Sequence, residues 1–151
     1  MKKLLILTVG IVIFCLTGCR FYETIETFEF RQPSENIVCI EILKKEYDSI
    51  NTDTPLILLK TFDESEYSKV IEGIPALDGW RNTLDPPTGF GVCVFRITYE
   101  DGAQEIIGNY SKGYILPNGE LCEDFYQLDR EQFYSLVSEL LGEEITDYTL
   151  G

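Results

Sequence analysis

The sequence predicts an α+β fold, with an antiparallel sheet and two helices on one face of it. In each half of the chain, short strand-like runs are followed by one capped amphipathic helix, and runs of strands followed by helices are typical of this class. Asp-Gly and Asn-Gly turns join neighbouring runs in the second half, which favours antiparallel hairpins. The 151 residues are 44% hydrophobic, which is enough for one domain with a single core.

The strands are predicted from β-prone runs and the turns between them. They cover residues 25–31, 37–44, 56–62, 92–99, 104–110, 114–116 and 121–128. Asp101-Gly102 and Pro117-Asn118-Gly119 mark turns between the later strands, because these residues adopt turn conformations at little cost. Residues 92–95 are apolar at every position, which predicts a central strand that is covered on both sides.

Two helices are predicted, each with a capping box at its start. Asp63 and Glu66 open the first, and Asp129 and Gln132 open the second, because each pair can satisfy backbone N–H groups of the first turn. The apolar residues of both helices recur at the i, i+3, i+4 and i+7 positions of one buried face. They are Tyr67, Val70, Ile71 and Ile74, then Phe133, Leu136, Val137 and Leu140. Gly142 suits the left-handed position that ends a helix.

The two helices match each other at a constant offset of 66 residues, which suggests a duplicated β-β-β-α unit. Under this offset residues 27–30 align with residues 93–96, and the repeats cover residues 25–77 and 91–142. A rival offset of 54 residues makes two of the cysteines equivalent. A third interpretation is chance similarity, since capped helices of this type are common.

The composition excludes several kinds of chemistry. The chain has 26 acidic and 12 basic side chains and no histidine, which gives a formal charge of −14. Without histidine there is no Ser-His-Asp triad, no Cys-His pair and no histidine metal site, and the acidity argues against nucleic-acid binding. The acidic clusters lack the alternating spacing of a calcium loop. We therefore predict that the protein is not an enzyme and has no catalytic residue, metal or cofactor.

The first 19 residues have the layout of an export signal. Lys2 and Lys3 precede an apolar run at residues 4–16, which is shorter than the ~20 residues of a membrane-spanning helix and suits a signal peptide. The run ends Leu16-Thr17-Gly18-Cys19, which resembles the lipobox of bacterial lipoproteins. This resemblance implies cleavage before Cys19 and acylation of its sulfur. It also implies that the protein is held by lipid on the extracytoplasmic side of the cell membrane.

The predicted organisation follows from this signal. It is a signal peptide at residues 1–18, a lipid-anchored tether at residues 19–24, one α+β domain at residues 25–142 and a tail at residues 143–151. Cleavage removes two lysines and no acids, so the mature chain has 26 acidic and 10 basic side chains and a formal charge of −16. Such a domain is repelled by an anionic membrane surface and attracts cationic partners.

Three cysteines follow the predicted anchor, Cys39, Cys93 and Cys122. Their number allows at most one bridge within the mature chain, with three pairings. The alternative is that all three are small buried hydrophobic residues in strands. Their spacing contains no CxxC motif, so they do not predict a zinc site.

The candidate partner-binding residues lie in the predicted linker between the two halves, residues 78–89, or directly after it. Trp80, Arg81 and Phe90 flank its Pro86-Pro87 stretch, and Trp and Arg are enriched at binding hot spots. In the alternative interpretation, Trp80 closes the end of the core and Arg81 is a solvated neighbour.

The sequence therefore predicts a membrane-anchored, non-catalytic lipoprotein whose acidic domain binds a basic protein partner, in the manner of an inhibitor module. Charge complementarity would raise the rate and the specificity of that association. Two alternatives stay open. One is a structural or accessory subunit of an envelope complex, and the other is a lipoprotein that binds a small ligand or a cation through its acidic clusters.

Overall fold

The computed structural model describes residues 23–25, 27–45, 56–82 and 89–145. The predicted signal peptide and Cys19 lie outside these residues. Within them the chain forms nine strands and two α-helices, and the predicted α+β fold with an antiparallel sheet is confirmed. No helix in these ranges is long and apolar enough to cross a membrane.

The strands form two antiparallel sheets. They are β1 (Glu23–Ile25), β2 (Ile37–Lys45), β3 (Leu56–Thr61), β4 (Gly79–Asn82), β5 (Cys93–Tyr99), β6 (Gln104–Gly108), β7 (Lys112–Ile115), β8 (Leu121–Asp124) and β9 (Tyr126–Leu128). The large sheet has the order β3-β2-β5-β6-β7-β8, and the small sheet has the order β1-β4-β9. In β5, Val94 is 2% exposed and Phe95 is fully buried. Because successive side chains point to opposite faces, β5 is the central, doubly covered strand that the sequence predicts.

The two helices, α1 (Tyr67–Gly73) and α2 (Arg130–Leu141), lie on one face of the large sheet. Their buried residues join the same core cluster as the inward-facing side chains of β2, β5 and β6. Phe133 of α2 packs edge-on against Phe95 of β5, with 5.7 Å between the ring centres. Tyr126 and Leu128 of β9 belong to this cluster too, so the small sheet closes the same core.

The opposite face of the large sheet carries a smaller apolar cluster. Leu43, Val94 and Ile106 are buried there, and Phe90 and Ile115 pack against them. The segment that carries Phe90 approaches the backbone of β6 closely. A Cβ atom on Gly108 would lie 1.6 Å from the Phe90 carbonyl oxygen, so this approach requires glycine.

The predicted helix caps are observed. Asp129 Oδ1 accepts the backbone N–H of Gln132 at 2.9 Å, and Gly142 ends α2 with a φ of 74°, the left-handed conformation that favours glycine. At the first helix, the Glu66 carboxylate accepts the backbone N–H of Asp63 at 3.2 Å. A 3-10 turn follows this cap, and α1 itself is only 7 residues long.

Two of the predicted strand assignments are wrong, and one observed strand was not predicted. Residues 27–31 lie outside the strands, and only Glu23–Ile25 forms a strand in this region. The predicted strand at residues 121–128 breaks at Phe125 into β8 and β9, which belong to different sheets. Conversely, the predicted linker contains β4, the middle strand of the small sheet. The errors at β4 and β9 share a cause, since the small sheet pairs short segments that are far apart in the sequence, and strand formation depends on such context.

The two halves of the chain differ in their strands. Residues 27–30 lie outside the strands, whereas residues 93–96, which the 66-residue offset aligns with them, lie in β5. The first half contributes two described strands to the large sheet, and the second half contributes four. The halves therefore share the order of strands followed by a capped helix, without the strand-by-strand equivalence of that offset.

The three described cysteines lie in β2, β5 and β8, and all three are free thiols. Cys93 is fully buried, Cys39 is half-buried and Cys122 is exposed. The strand placement is as predicted, but the expectation that all three are buried holds for Cys93 alone, since Cys39 is half-buried and Cys122 is exposed. Burial raises the pKa of the Cys93 thiol to about 12, so this residue acts as a core hydrophobe.

Candidate binding site at the junction of the two sheets

The small sheet is built around β4, which pairs with β1 on one side and with β9 on the other. Gly79 and Arg81 share the face of β4 that looks toward the core, because alternate residues of a strand point the same way. A Cβ atom on Gly79 would lie 2.4 Å from the Tyr126 hydroxyl oxygen. Glycine at this position therefore lets the Tyr126 ring lie against the strand.

Trp80 lies on the other, outer face of the small sheet. Its indole N–H donates to the Gln127 side-chain oxygen at 2.9 Å, and Gln127 is its cross-strand neighbour on β9. The side chain is half-buried and belongs to neither apolar cluster. This placement argues against the interpretation in which Trp80 closes the core, and it leaves part of an oriented aromatic ring at the surface.

Arg81 connects the two sheets. Its guanidinium group binds both carboxylate oxygens of Asp124 in β8, at 2.6 Å and 3.4 Å. Paired N–H···O bonds of this kind fix the orientation of both groups. Arg81 is therefore a structured element of the site, although its side chain keeps 41% of its surface exposed to solvent.

A cavity of about 370 Å³ lies beside this ion pair. Residues 27–31 form one wall of it, and β4, β7, β8 and β9 form the rest. The lining is strongly charged, with three cations and two carboxylates. These are Arg31, Arg81, Lys112, Glu29 and Asp124. Ligand sites commonly enclose 300–1,000 Å³, so the cavity has the size of a small-molecule site.

A buried carboxylate, Glu105, supports the wall of the cavity from beneath. It is fully buried, and its Oε2 accepts the Tyr99 hydroxyl at 2.5 Å and the backbone N–H of Arg31 at 3.1 Å. Its Oε1 lies 3.3 Å from the Lys112 ammonium nitrogen. Burial, and then the negative charge of Glu105, raises the pKa of the Tyr99 hydroxyl, so this hydroxyl stays protonated and donates.

Lys112 is fixed by three contacts on three sides. Its ammonium group pairs with Glu105, lies 4.5 Å above the centre of the Phe28 ring and donates to the carbonyl oxygen of Glu29. Its side chain is only 14% exposed. The Glu105–Lys112 pair therefore holds residues 28–31 against the sheet by side-chain contacts. The sequence predicts that these residues pair with the sheet as a strand instead.

The predicted partner-binding residues do not form one site. Trp80 lies on the outer face of the small sheet, and Arg81 lines the cavity on its inner face. Phe90 lies on the far face of the large sheet, where its ring fills the space beside Gly113 of β7. The structure thus brings Trp80 and Arg81 together on one strand, facing opposite ways, and separates Phe90 from both.

Sequence reasoning missed Arg31, Glu105 and Lys112. The one available signal is the position of Glu105, a lone carboxylate directly before the apolar pair Ile106-Ile107 in a predicted strand. A charge placed among buried positions needs a partner. Neither Lys112 nor the backbone of Arg31 can be identified as that partner from local sequence.

Comparison of the chain with known protein families, with curated proteins and with solved structures finds no match. In the part of the chain that the structure describes, no group of three or more histidine, cysteine, aspartate or glutamate residues is arranged to hold a metal ion. What the described site offers is therefore an oriented aromatic surface at Trp80 and a charged cavity behind it.

Proposed function

We propose that the chain is a lipid-anchored, extracytoplasmic protein whose domain binds a protein partner, without catalysis, through the outer face of the small sheet. The observation that carries this proposal is the placement of Trp80, the single tryptophan of the chain. Tryptophan dominates the binding energy of many interfaces. Its indole N–H is already bound by Gln127, so less side-chain freedom would be lost on binding.

The charge of the chain favours a basic partner. The formal charge is −14 for the whole chain, and it becomes −16 if the predicted signal is removed. A field of this sign accelerates the association of cationic proteins and repels acidic ones. An inhibitor-like module that meets a secreted basic protein is consistent with both the charge and the partly exposed Trp80 ring.

The membrane anchor is proposed from the lipobox resemblance at Leu16-Thr17-Gly18-Cys19. In that class of protein the cysteine becomes the acylated N terminus. More than one acyl chain gives stable anchoring, whereas a single chain is marginal. The described domain begins four residues after Cys19, so an anchor there would hold the domain close to the membrane.

We expect Trp80→Ala to weaken partner binding by at least about tenfold, because loss of a hot-spot tryptophan commonly costs 2 kcal/mol or more. The matched control is Tyr110→Ala, which removes another surface aromatic, 40% exposed, that lies after β6. The measurement is quantitative capture of envelope proteins by the detergent-solubilised wild type and by both variants. Proteins that the wild type and Tyr110→Ala retain, and that Trp80→Ala loses, are the partners.

Two outcomes would contradict the proposal. The first is an identical set of captured proteins for wild type and Trp80→Ala. The second is a partner whose retention stays unchanged from low salt to about 1 M salt, where the screening length falls to about 3 Å, since charge complementarity would then contribute nothing. A captured partner that is itself an integral membrane protein would identify the chain as an accessory subunit of an envelope complex.

We expect Cys19→Ser to move the protein from the membrane fraction to the soluble fraction, because serine offers no sulfur for acylation. Immunoblotting of fractionated cells measures the distribution. Cys122→Ser is the control, since it removes an exposed thiol of β8 and should leave the distribution unchanged. Retention of Cys19→Ser in the membrane at the wild-type level would refute the anchor.

A further inference from the structure

The cavity behind Trp80 is lined by several of the few cations of an acidic chain. The described residues include nine lysines and arginines, and three of them line this one cavity. They are Arg31, Arg81 and Lys112. Two carboxylates, Glu29 and Asp124, line it as well, so an anion would be recognised only by a cation that is not already paired within the protein.

Two of the three cations are matched within the protein. Arg81 is paired with Asp124 at 2.6 Å, and Lys112 is paired with Glu105 at 3.3 Å. Arg31 differs from both. Its guanidinium group lies 5.5 Å from the centre of the Tyr114 ring, and no carboxylate of the described chain lies within ion-pair distance of it.

The backbone of Arg31 is held in place although its side chain is at the surface. The Arg31 N–H donates to the buried Glu105 carboxylate at 3.1 Å, and the guanidinium group lies over the Tyr114 ring. Arginine over an aromatic ring keeps its N–H groups available at the edge of its plane. Arg31 therefore presents an oriented donor fork at the cavity.

We propose that this cavity binds the oxyanion group of a small molecule, a carboxylate or a phosphate, with Arg31 as its main contact. Guanidinium matches both groups through paired N–H···O bonds. Lys112 and Arg81 also line the cavity, but their charges are already matched by Glu105 and Asp124. Glu29 also lines the cavity. Like Arg31 it is exposed, so solvent and salt screen its repulsion of a bound anion.

The test is calorimetric titration of the full-length protein in non-ionic detergent with sodium phosphate and, separately, with sodium succinate. Ionic strength is held constant with sodium chloride, so that general screening does not change. We expect saturable binding of at least one of the two anions. Binding of phosphate alone would identify a phosphate-bearing ligand, and binding of succinate alone would identify a carboxylate.

We expect Arg31→Gln to weaken this binding about tenfold or more, as is typical when a charge-assisted hydrogen bond is lost. Arg31→Lys keeps the positive charge but not the paired N–H donors of the guanidinium group, and it should lose less affinity than Arg31→Gln. The matched control is Lys69→Gln, which removes an exposed cation of α1 away from the cavity and should bind as the wild type does. Circular dichroism establishes that each variant is folded.

The proposal is overturned if neither anion binds the wild type saturably. It is also overturned if the two Arg31 variants bind as tightly as the wild type, or if Lys69→Gln loses as much affinity as Arg31→Gln. None of these results depends on Trp80 or on a protein partner, so the test stands apart from the proposed function of the outer face.

Discussion

Replacing Glu105 with alanine is expected to lower the free energy of unfolding by about 3–5 kcal/mol, the range found when one partner of a buried ion pair is removed. The variant would leave the ammonium group of Lys112, 14% exposed, without its carboxylate. It would also leave the Tyr99 hydroxyl and the Arg31 N–H without their acceptor. Urea denaturation followed by circular dichroism measures the loss.

Paired variants separate the charge from the packing at this site. Glu105→Gln keeps an acceptor of nearly the same shape and should lose less stability than alanine. The double variant Glu105→Leu with Lys112→Met removes both charges. It should also lose less stability than Glu105→Ala, because replacing a whole buried ion pair by apolar groups is often close to neutral. A loss below about 1 kcal/mol for Glu105→Ala would show that the pair behaves as a surface ion pair does.

Gly108→Ala is expected to destabilise the protein by about 3 kcal/mol, at the upper end of the usual cost of overpacking. The new methyl group would lie 1.6 Å from the carbonyl oxygen of Phe90, which is backbone and cannot rotate away as a side chain can. The contact sits beside the cluster of Leu43, Val94 and Ile106. The shift in the thermal midpoint and in the urea midpoint measures the effect.

Gly119→Ala is the matched control for this substitution. Gly119 has a φ of 87° and nothing within 4 Å of the position that a Cβ atom would take. The cost there is that of the left-handed backbone conformation alone, about 1–2 kcal/mol. Equal losses in the two variants would mean that the Phe90 segment moves aside freely, and that it does not cover this face of the sheet tightly.

The parts of the fold that follow local rules could be predicted. The helix α2 combines a capped start at Asp129, a periodic apolar face and a terminal glycine, all within fourteen residues of sequence, so no distant contact is needed to identify it. The central strand β5 could also be predicted from local sequence, because the apolar run at residues 92–95 is uninterrupted. In both cases local preference and tertiary placement agree.

The parts that depend on distant contacts could not be predicted. The segment Gly79–Asn82 contains one glycine, one tryptophan, one arginine and one asparagine, and only its pairing with β1 and β9 makes it a strand. Residues 27–30 alternate polar and apolar side chains as a strand does. Their backbone is instead bound by Lys112, and the N–H of the following Arg31 by Glu105. The candidate cavity arises from these same non-local contacts, so sequence alone identified only Arg81 of its lining residues.

The position of β1 has a mechanical consequence. If Cys19 is the membrane anchor, any tension between the domain and the membrane enters the fold at Glu23–Ile25, a strand of three residues that pairs on β4. Residue 25 lies opposite Trp80 in that pairing. A pull on the tether would therefore load the strand that carries the proposed partner-binding face before it reached the six-stranded sheet. The distance between the domain and the membrane and the affinity for a partner would then be coupled through one short strand.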